Sequence, residues 1–408
     1  MVSHAIDIDA VTAWHTTVVD LLERAKLAQP DQLPEVINTA LRAVDLEARL
    51  YLVDHEQRRL WPVPDRDGSV GRPLSVDGTV AGRAFTVVRT QWADDGTAGV
   101  RLWVPLIDGA ERLGVAELTG KTAPRDPAAL RRACEWIVGL VGHLITAKLP
   151  YGDALQLVRR TRPMTTAAEL LLQTLPPLTF SCDRASVTAI LEPCYDVGGD
   201  GFDYAVDGDA AWVSVLDAMG RGLKASLACV TAMAALRAAR RDGRDLSEQA
   251  RAADAAIREQ FTDLRFVTAV LVEFNMDTGR LRYVGAGHPP PLVLRRGKAV
   301  RQLLGGRRLP LGLGDDPVKV AEETLEPGDR LLLYTDGVVE ADDGHGVLFG
   351  VDRLVDLAER GATASLPGPE TLRRLAHSVL EHQGGPPRDD ATLVLFEWSR
   401  EAARRTQP

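Results

Sequence analysis

The feature of this sequence that most limits its fold is a set of aspartates at the ends of apolar strands. Asp200 lies in VGGDGFDY, Asp217 ends AWVSVLD, Asp336 ends RLLLYTD, and Asp389 and Asp390 precede ATLVLF. A hydrophobic strand that runs into an aspartate buries the carboxylate near a sheet edge. Four such burials are costly unless the charges share cations. The pattern therefore predicts a cation site built from these strand ends.

The donor atoms of this set indicate which metal it would take. The four positions offer oxygen ligands without a nearby His or Cys, which favours Mg²⁺ or Mn²⁺ over Zn²⁺. A single Asp-Gly pair is an ordinary turn signal, so each aspartate alone is weak evidence. The set together is far more specific.

The first 150 residues alternate between helical and strand periodicity. Apolar spacing predicts helices within 10–44, strand pairs within 47–63 and 99–120, and a helix that begins after Asp126 as N-cap. This order predicts an α+β domain over residues 1–150. Residues 151–176 return to helical spacing and predict a linker helix. The stretch 127–175 is either a signalling helix pair or ordinary packing, and the pattern leaves both open.

After Pro177 the chain becomes rich in predicted strands, with helices in blocks. This pattern predicts two packed sheets flanked by helices over residues 177–400. The fold class expected for the whole chain is α+β.

Composition excludes several classes of function. The 408 residues carry a net charge of −9, which argues against nonspecific nucleic-acid binding. The cysteines include no Cys-x-x-Cys pair and are expected to be reduced thiols. The start MVSHAIDIDA has no signal-peptide pattern, and the most apolar helical stretch, 136–147, is too short to span a bilayer. We expect a cytoplasmic protein.

An ordered series of short motifs resembles the bacterial, SpoIIE-like branch of the metal-dependent protein phosphatases, the type 2C or PPM family. The resemblance covers about residues 165–398 and implies a sandwich of two β-sheets between helices. Its motifs are Val197-Gly198-Gly199-Asp200, Asp217-Ala218-Met219-Gly220-Arg221-Gly222, Ala286-Gly287-His288-Pro289-Pro290, Thr335-Asp336-Gly337 and Asp389-Asp390-Ala391-Thr392.

The resemblance also implies a chemistry and roles for particular residues. It implies a serine/threonine protein phosphatase in which two Mn²⁺ or Mg²⁺ ions activate a water. Asp217 matches the ligand that bridges both metals, and the Ala218 carbonyl completes one shell. Asp336 and Asp389 match ligands of the first metal. Asp200 matches a ligand of the second, direct or through water, and Asp390 either contributes or orients its neighbour.

Two positions are ambiguous. Arg221 stands where many relatives carry His or Asn. It either binds substrate phosphate, which suits its forked guanidinium, or is simply exposed to solvent. His288 follows Gly287 and precedes two prolines, and we interpret it as structural and not catalytic.

The N-terminal 150 residues more loosely resemble a GAF domain, either a ligand sensor or a dimerisation module. The branch resemblance implies a phosphorylated anti-sigma-factor antagonist as protein substrate. Arg221 and the basic cluster Arg237, Arg240, Arg241 and Arg244 are candidates for its docking surface. We expect no nucleic-acid or membrane partner, and a possible homodimer. Alternatives are a pseudophosphatase-type binding module and a hydrolase of small phosphoesters.

Overall fold

A computed structural model describes residues 8–64, 71–93, 99–122, 124, 126–314, 317–384 and 389–408, without the side chains of residues 8–11 and 403. The chain forms two compact units. The N-terminal unit comprises residues 1–161 with 405–408, and the C-terminal unit comprises residues 162–404.

The N-terminal unit is built on one antiparallel sheet with strand order β3-β2-β1-β6-β5-β4. One face packs against α1, α2 and α4, and the other face packs against α3. The elements are α1 (Ile8–Ala25), α2 (Leu33–Leu41), β1 (Leu46–Val53), β2 (Arg59–Pro62), β3 (Leu74–Ser75), α3 (Val80–Val87), β4 (Gln91–Trp92), β5 (Val100–Asp108), β6 (Glu111–Gly120), α4 (Pro127–Lys148) and α5 (Ala154–Val158).

Local sequence explains where α4 begins. Asp126 has an extended backbone, and its carboxylate accepts hydrogen bonds from the amides of Ala128 and Ala129. Pro127 occupies the first helical position, where its missing N–H costs nothing. The predicted N-cap is confirmed.

The predicted linker helix over 151–176 is wrong as a single helix. The segment contains α5, an irregular stretch 159–165, and a second short helix, α6 (Thr166–Thr174). Pro163 lies in the irregular stretch, and a proline disfavours helical geometry at the residue before it. The Thr165 side chain then caps the start of α6 by accepting from the Ala168 amide.

The C-terminal unit contains two six-stranded sheets and several helices. The first sheet has the order β15-β12-β11-β10-β9, with β16 on β12, and the second has the order β14-β13-β17-β18-β8-β7. The elements after α6 are β7 (Thr179–Ser181), β8 (Ser186–Glu192), β9 (Asp200–Asp207), β10 (Ala210–Ala218), α7 (Leu223–Arg241), α8 (Leu246–Gln260), β11 (Val267–Asn275), β12 (Arg280–Ala286), β13 (Leu292–Arg295), β14 (Lys298–Gln302), β15 (Arg307–Arg308), β16 (Ala321–Thr324), β17 (Arg330–Tyr334), α9 (Asp336–Val339), α10 (Val351–Thr363), α11 (Gly368–Gln383), β18 (Ala391–Glu397) and α12 (Arg400–Arg405).

Three hydrophobic clusters stack these elements into four layers. One cluster joins α7 and α8 to the first sheet, and another joins the second sheet to α10 and α11. The third lies between the sheets and includes Val215, Val270, Val394 and Phe396. The α-β-β-α sandwich and the α+β class are therefore as the sequence predicts.

Two further observations concern the described part of the chain. Within it, no disulfide joins any of the cysteines, which are Cys134, Cys182, Cys194 and Cys229. None of the helices in the described ranges is both long and apolar enough to cross a bilayer.

Candidate metal-binding and catalytic site

The centre of the site is a row of three polar side chains across the first sheet. Asp217, near the end of β10, pairs with Asp200 on β9 and with Thr268 on β11. Side chains alternate along a strand, so Asp217 shares the face of Val215, which lies in the core between the sheets. Two directly opposed carboxylates repel each other. The sheet itself thus places like charges side by side at one end of the sandwich.

The second sheet supplies hydroxyl groups to this row. Thr335, which follows β17, and Thr392 on β18 donate to Oδ2 of Asp200 at 2.7 and 2.8 Å. Asp200 is 2% exposed. Burial, followed by the charges of Asp217 and Asp390, raises its pKa well above the usual range. The two hydroxyls partly offset this cost and fix the orientation of the carboxylate.

Asp390 organises the turn that carries Asp200. Its Oδ2 accepts from the amides of Gly198 and Gly199, both at 2.8 Å, and of Asp200 at 3.2 Å. A Cβ atom on Gly199 would lie 2.8 Å from the Ala218 carbonyl oxygen, so this approach requires glycine. The turn therefore brings the Ala218 carbonyl and Asp200 to the same end of the sandwich. Burial is the main cause of a raised pKa at Asp390.

Asp336 reaches the same place from β17. The sequence predicts that it ends a strand, whereas it is the first residue of the short helix α9. A Cβ on Gly337 would lie 1.9 Å from the carbonyl oxygen of Asp390, so the two acidic loops touch. Burial and then the charge of Asp389 raise the pKa of Asp336.

Burial and the charges of the neighbouring acids together shift the pKa of Asp217. Burial, followed by the charges of Asp336, Asp389 and Asp390, raises its pKa to about 7. Asp389 itself has a side chain that is 63% exposed, and its carboxylate lies 3.6 Å from the Arg221 guanidinium. A cation beside Asp217 would relieve this repulsion.

Arg221 is the predicted substrate-binding residue, and its side chain is 61% exposed. It lies in the turn between β10 and α7, next to Gly222, after which α7 begins. An exposed guanidinium and a helix N-terminus both attract a phosphate group. The structure thus brings Arg221 to Asp389 and to the same end of the sandwich as the acids.

Three threonines and Arg265 were not identified from the sequence. Thr335 and Thr392 stand inside motifs that were recognised, directly beside Asp336 and two residues after Asp390. Thr268 is the cross-strand partner of Asp217, which only the strand register reveals. The Arg265 guanidinium donates to the Met219 carbonyl at 3.3 Å and supports the loop after Asp217.

His288 lies behind this row. Its Nδ1 is 2.8 Å from the Thr268 hydroxyl. Burial lowers the pKa of His288 to about 3, against a smaller opposing effect of the Tyr334 carbonyl, so the ring is neutral.

Two arginines of the basic cluster that the sequence suggests for docking, Arg237 and Arg240, face the interior of the unit. Arg237 and Arg240 pair with the buried carboxylate of Asp203 at 2.8 and 3.0 Å. Arg244 pairs with Asp242 at 3.4 Å. Because Arg237 and Arg240 are committed to an internal ion pair, this part of the docking prediction is wrong.

The donor set fits a hard divalent cation by its chemistry. Asp200, Asp217, Asp336, Asp389 and the Ala218 carbonyl offer oxygen atoms, which Mg²⁺ and Mn²⁺ prefer. Across the described ranges, no group of three or more Asp, Glu, His or Cys side chains is close enough to hold a metal ion as it stands. Burial, and then repulsion between the carboxylates, raises the pKa values of Asp217 and Asp336, and a bound cation would offset both effects.

Comparison with known families agrees with this geometry. Residues 207–399 match the family model described as Stage II sporulation protein E (SpoIIE). This segment, just under half of the chain, is similar to the SpoIIE family. It contains Asp217, Asp336, Asp389 and Asp390 of the site, while Asp200 lies just before the matched residues.

Two curated proteins are also similar to this chain. Phosphoserine phosphatase RsbU of Bacillus subtilis (strain 168) is 26% identical over 215 residues, which cover 52% of this chain and 63% of RsbU. Phosphoserine phosphatase RsbP of the same organism is 24% identical over 164 residues, which cover 39% of this chain and 40% of RsbP. The chain thus spans less than two thirds of either relative.

Two solved structures are also similar. The SiaA-PP2C domain of Pseudomonas aeruginosa is 28% identical, with a TM-score of 0.49, and the match covers 57% of this chain and 94% of that domain. The RsbU and RsbW domains of Rv1364c from Mycobacterium tuberculosis are 27% identical, with a TM-score of 0.48, covering 56% of this chain and 64% of that one.

Proposed function

We propose that this chain is a metal-dependent phosphatase that hydrolyses phosphoserine or phosphothreonine in a protein. The observation that carries the proposal is the convergence of five aspartates from two sheets at one end of the sandwich: Asp200, Asp217, Asp336, Asp389 and Asp390. The SpoIIE match and the names of the two relatives support the same activity.

The proposed roles come from the motif resemblance and are supported by where each group lies. Asp217 would be the central ligand, Asp336 and Asp389 would hold one metal, Asp200 would serve the other, and the Ala218 carbonyl would complete one shell. When bound, Mn²⁺ or Mg²⁺ would supply charge neutralisation and a water of lowered pKa. Asp390 keeps the 198–200 turn in place through its three amide contacts.

Arg221 is proposed to bind the substrate phosphate. Its guanidinium is exposed, lies near Asp389, and precedes the N-terminus of α7. A planar guanidinium donates to two phosphate oxygens at once. Arg221 would thus hold the phosphoryl group on the solvent side of the acids. Before hydrolysis, that group is still bonded to the side-chain oxygen of the substrate protein.

The proposed substrate is the phosphorylated antagonist of an anti-sigma factor. The support is the similarity to RsbU and RsbP and the SpoIIE segment. We propose further that residues 1–150 form a GAF-like sensor domain, 151–176 a linker and 177–400 the catalytic domain. The active form is proposed to be a cytoplasmic homodimer.

Hydrolysis of p-nitrophenyl phosphate tests the activity. We expect turnover that requires Mn²⁺ or Mg²⁺, and at least a ~100-fold loss in Asp217→Asn, because the central oxygen donor loses its charge. Asp207→Asn is the matched control, since Asp207 is an exposed acid on the neighbouring strand β9. Near-normal turnover in Asp217→Asn would refute the metal assignment, and no metal-dependent turnover in the wild type would favour the pseudophosphatase alternative.

A further inference from the structure

A chain of polar contacts connects His288 to the central aspartate. His288 Nδ1 lies 2.8 Å from Thr268 Oγ1, and Thr268 Oγ1 lies 3.5 Å from Asp217 Oδ2. Thr268 and Asp217 are directly opposed residues on adjacent strands, and Gly287 forms a bridge with Ala269. The backbone register of the first sheet therefore fixes all three side chains as neighbours.

Counting protons assigns a direction to this chain. A threonine hydroxyl has one proton to donate. If Thr268 donates it to the Asp217 carboxylate, Thr268 must accept from His288, and the ring proton must be on Nδ1. The buried Nε2 forms no hydrogen bond of good geometry with any described residue, and the Tyr334 carbonyl lies close enough to the ring to raise its pKa, so these contacts leave the position of the ring proton to be measured. The low pKa of the ring keeps a second proton off it.

We propose that His288 is a positioning residue that acts through Thr268 on Asp217. Its Nδ1–H holds the Thr268 hydroxyl in the orientation that donates to Oδ2 of Asp217. This bond would occupy Oδ2 and leave the other oxygen, Oδ1, available to a cation. The inference rests on the proposed metal-dependent function for its consequence, whereas the hydrogen-bond chain itself exists without metal.

A competing arrangement uses the other tautomer. In it, Nε2–H faces the Tyr334 carbonyl, Thr268 donates to Nδ1, and no proton remains for Asp217. His288 would then be a core residue without influence on the carboxylate. The two arrangements differ in an observable way, because only one of them puts the proton on Nδ1.

Nitrogen NMR of the histidine rings in the metal-free, full-length protein at pH 7.5 separates these arrangements. Uniform ¹⁵N labelling and the His288→Asn variant identify the His288 signals. We expect a protonated Nδ1 and a bare Nε2. A protonated Nε2 would overturn the proposal, whether or not the protein has phosphatase activity.

Paired substitutions test the effect on metal affinity by isothermal titration calorimetry with Mn²⁺. In Asn the amide stands near the position of Nδ1, and in Gln it stands near the position of Nε2. We expect His288→Asn to stay within ~3-fold of the wild type, whereas His288→Gln and Thr268→Val bind Mn²⁺ roughly 10- to 100-fold more weakly. Thr268→Ser, which keeps the hydroxyl, should bind like the wild type.

Three controls separate positioning from loss of structure. His345→Gln changes an exposed histidine of the same unit and should leave Mn²⁺ affinity unchanged. The double variant His288→Gln/Thr268→Val should be no weaker than either single variant, because both break one chain. Equal losses in His288→Asn and His288→Gln, or additive losses in the double variant, would overturn the proposal. If the wild type binds no Mn²⁺, the proposed function fails, while the ring NMR still decides the hydrogen-bond chain.

Discussion

Burial and the charges of Asp336, Asp389 and Asp390 oppose ionisation of Asp217 and raise its pKa from 3.8 to about 7. Between these two values the folded protein holds a proton that the unfolded chain has released. The contribution of this carboxyl group to the stability of the metal-free protein then falls as pH rises from about 4 to about 7, by an amount on the order of a few kcal/mol. The stabilisation is fully present only below the unfolded pKa.

Removal of this charge gives a prediction for the metal-free protein. In chelator, Asp217→Asn should be more stable than the wild type at pH 8 and should show a shallower decline between pH 5 and 8. Urea unfolding at each pH measures the difference, with Asp207→Asn as the control that leaves the profile unchanged. If the free energy of unfolding depends on pH in the same way in Asp217→Asn and in the wild type, then burial of the ionised Asp217 carboxylate does not destabilise the metal-free protein. The same substitution therefore has opposite expected effects on activity and on stability.

The sequence identifies the acids of the site but not the groups that hold them. Each aspartate stands at a local strand-to-turn boundary, which a short window of sequence reveals. Thr335 and Thr392 contact Asp200 across 135 and 192 residues of chain. No local pattern contains that information, since it arises only when the second sheet packs on the first.

Helix α7 is tied to β9 by an ion pair that has a structural purpose. Asp203 is 3% exposed, and it is neutralised by Arg237 and Arg240. Arg237 also donates to the Thr174 carbonyl at the end of α6 at 2.9 Å. Two arginines thus join two helices to the edge of the first sheet.

Loss of these arginines should destabilise the protein without altering substrate recognition. The double variant Arg237→Ala/Arg240→Ala leaves a buried, unpaired carboxylate, and we expect a loss of about 3–5 kcal/mol in the free energy of unfolding. Arg241→Ala, at an exposed position of the same helix, should change it by less than ~0.5 kcal/mol. Urea unfolding measures both. An unchanged stability together with a raised KM for a phosphoprotein would restore the docking role.

At the scale of elements, segments with a clear apolar pattern were predictable, and short, polar, exposed strands were not. The strand pairs β5–β6 and β9–β10 and the helices α4 and α7 have strong periodicity over many residues. Strands β14 and β16 are mostly exposed and polar. They adopt strand geometry because they pair with β13 and β12, and not because of their own sequence pattern. The single linker helix was wrong because helical periodicity on both sides of Pro163 concealed the break.

For the whole molecule, the path of the chain connects the acidic strand ends to the N-terminal unit. The chain enters the C-terminal unit after Thr161 and leaves it after Arg404, so residues 405–408 belong to the N-terminal unit. Strand β18 begins directly after Asp389 and Asp390 and ends at Glu397. Strand β18 thus connects the C-terminal tail to Asp389 and Asp390, and a displacement of the tail could be transmitted along this strand to the site.

Two truncations test whether the units are coupled through this connection. Deletion of residues 1–150 and, separately, of residues 400–408 should each change kcat for p-nitrophenyl phosphate by about 5-fold or more, the usual lower range of an allosteric coupling. Circular dichroism and Mn²⁺ affinity serve as controls that the C-terminal unit still folds and binds metal. If both truncated proteins fold, bind Mn²⁺ and keep the full-length kcat, the N-terminal unit has no influence on the chemistry, and the sensor proposal is wrong. A change produced by the N-terminal deletion but not by loss of the tail would assign the coupling to the 151–176 linker, because that segment is the remaining covalent connection.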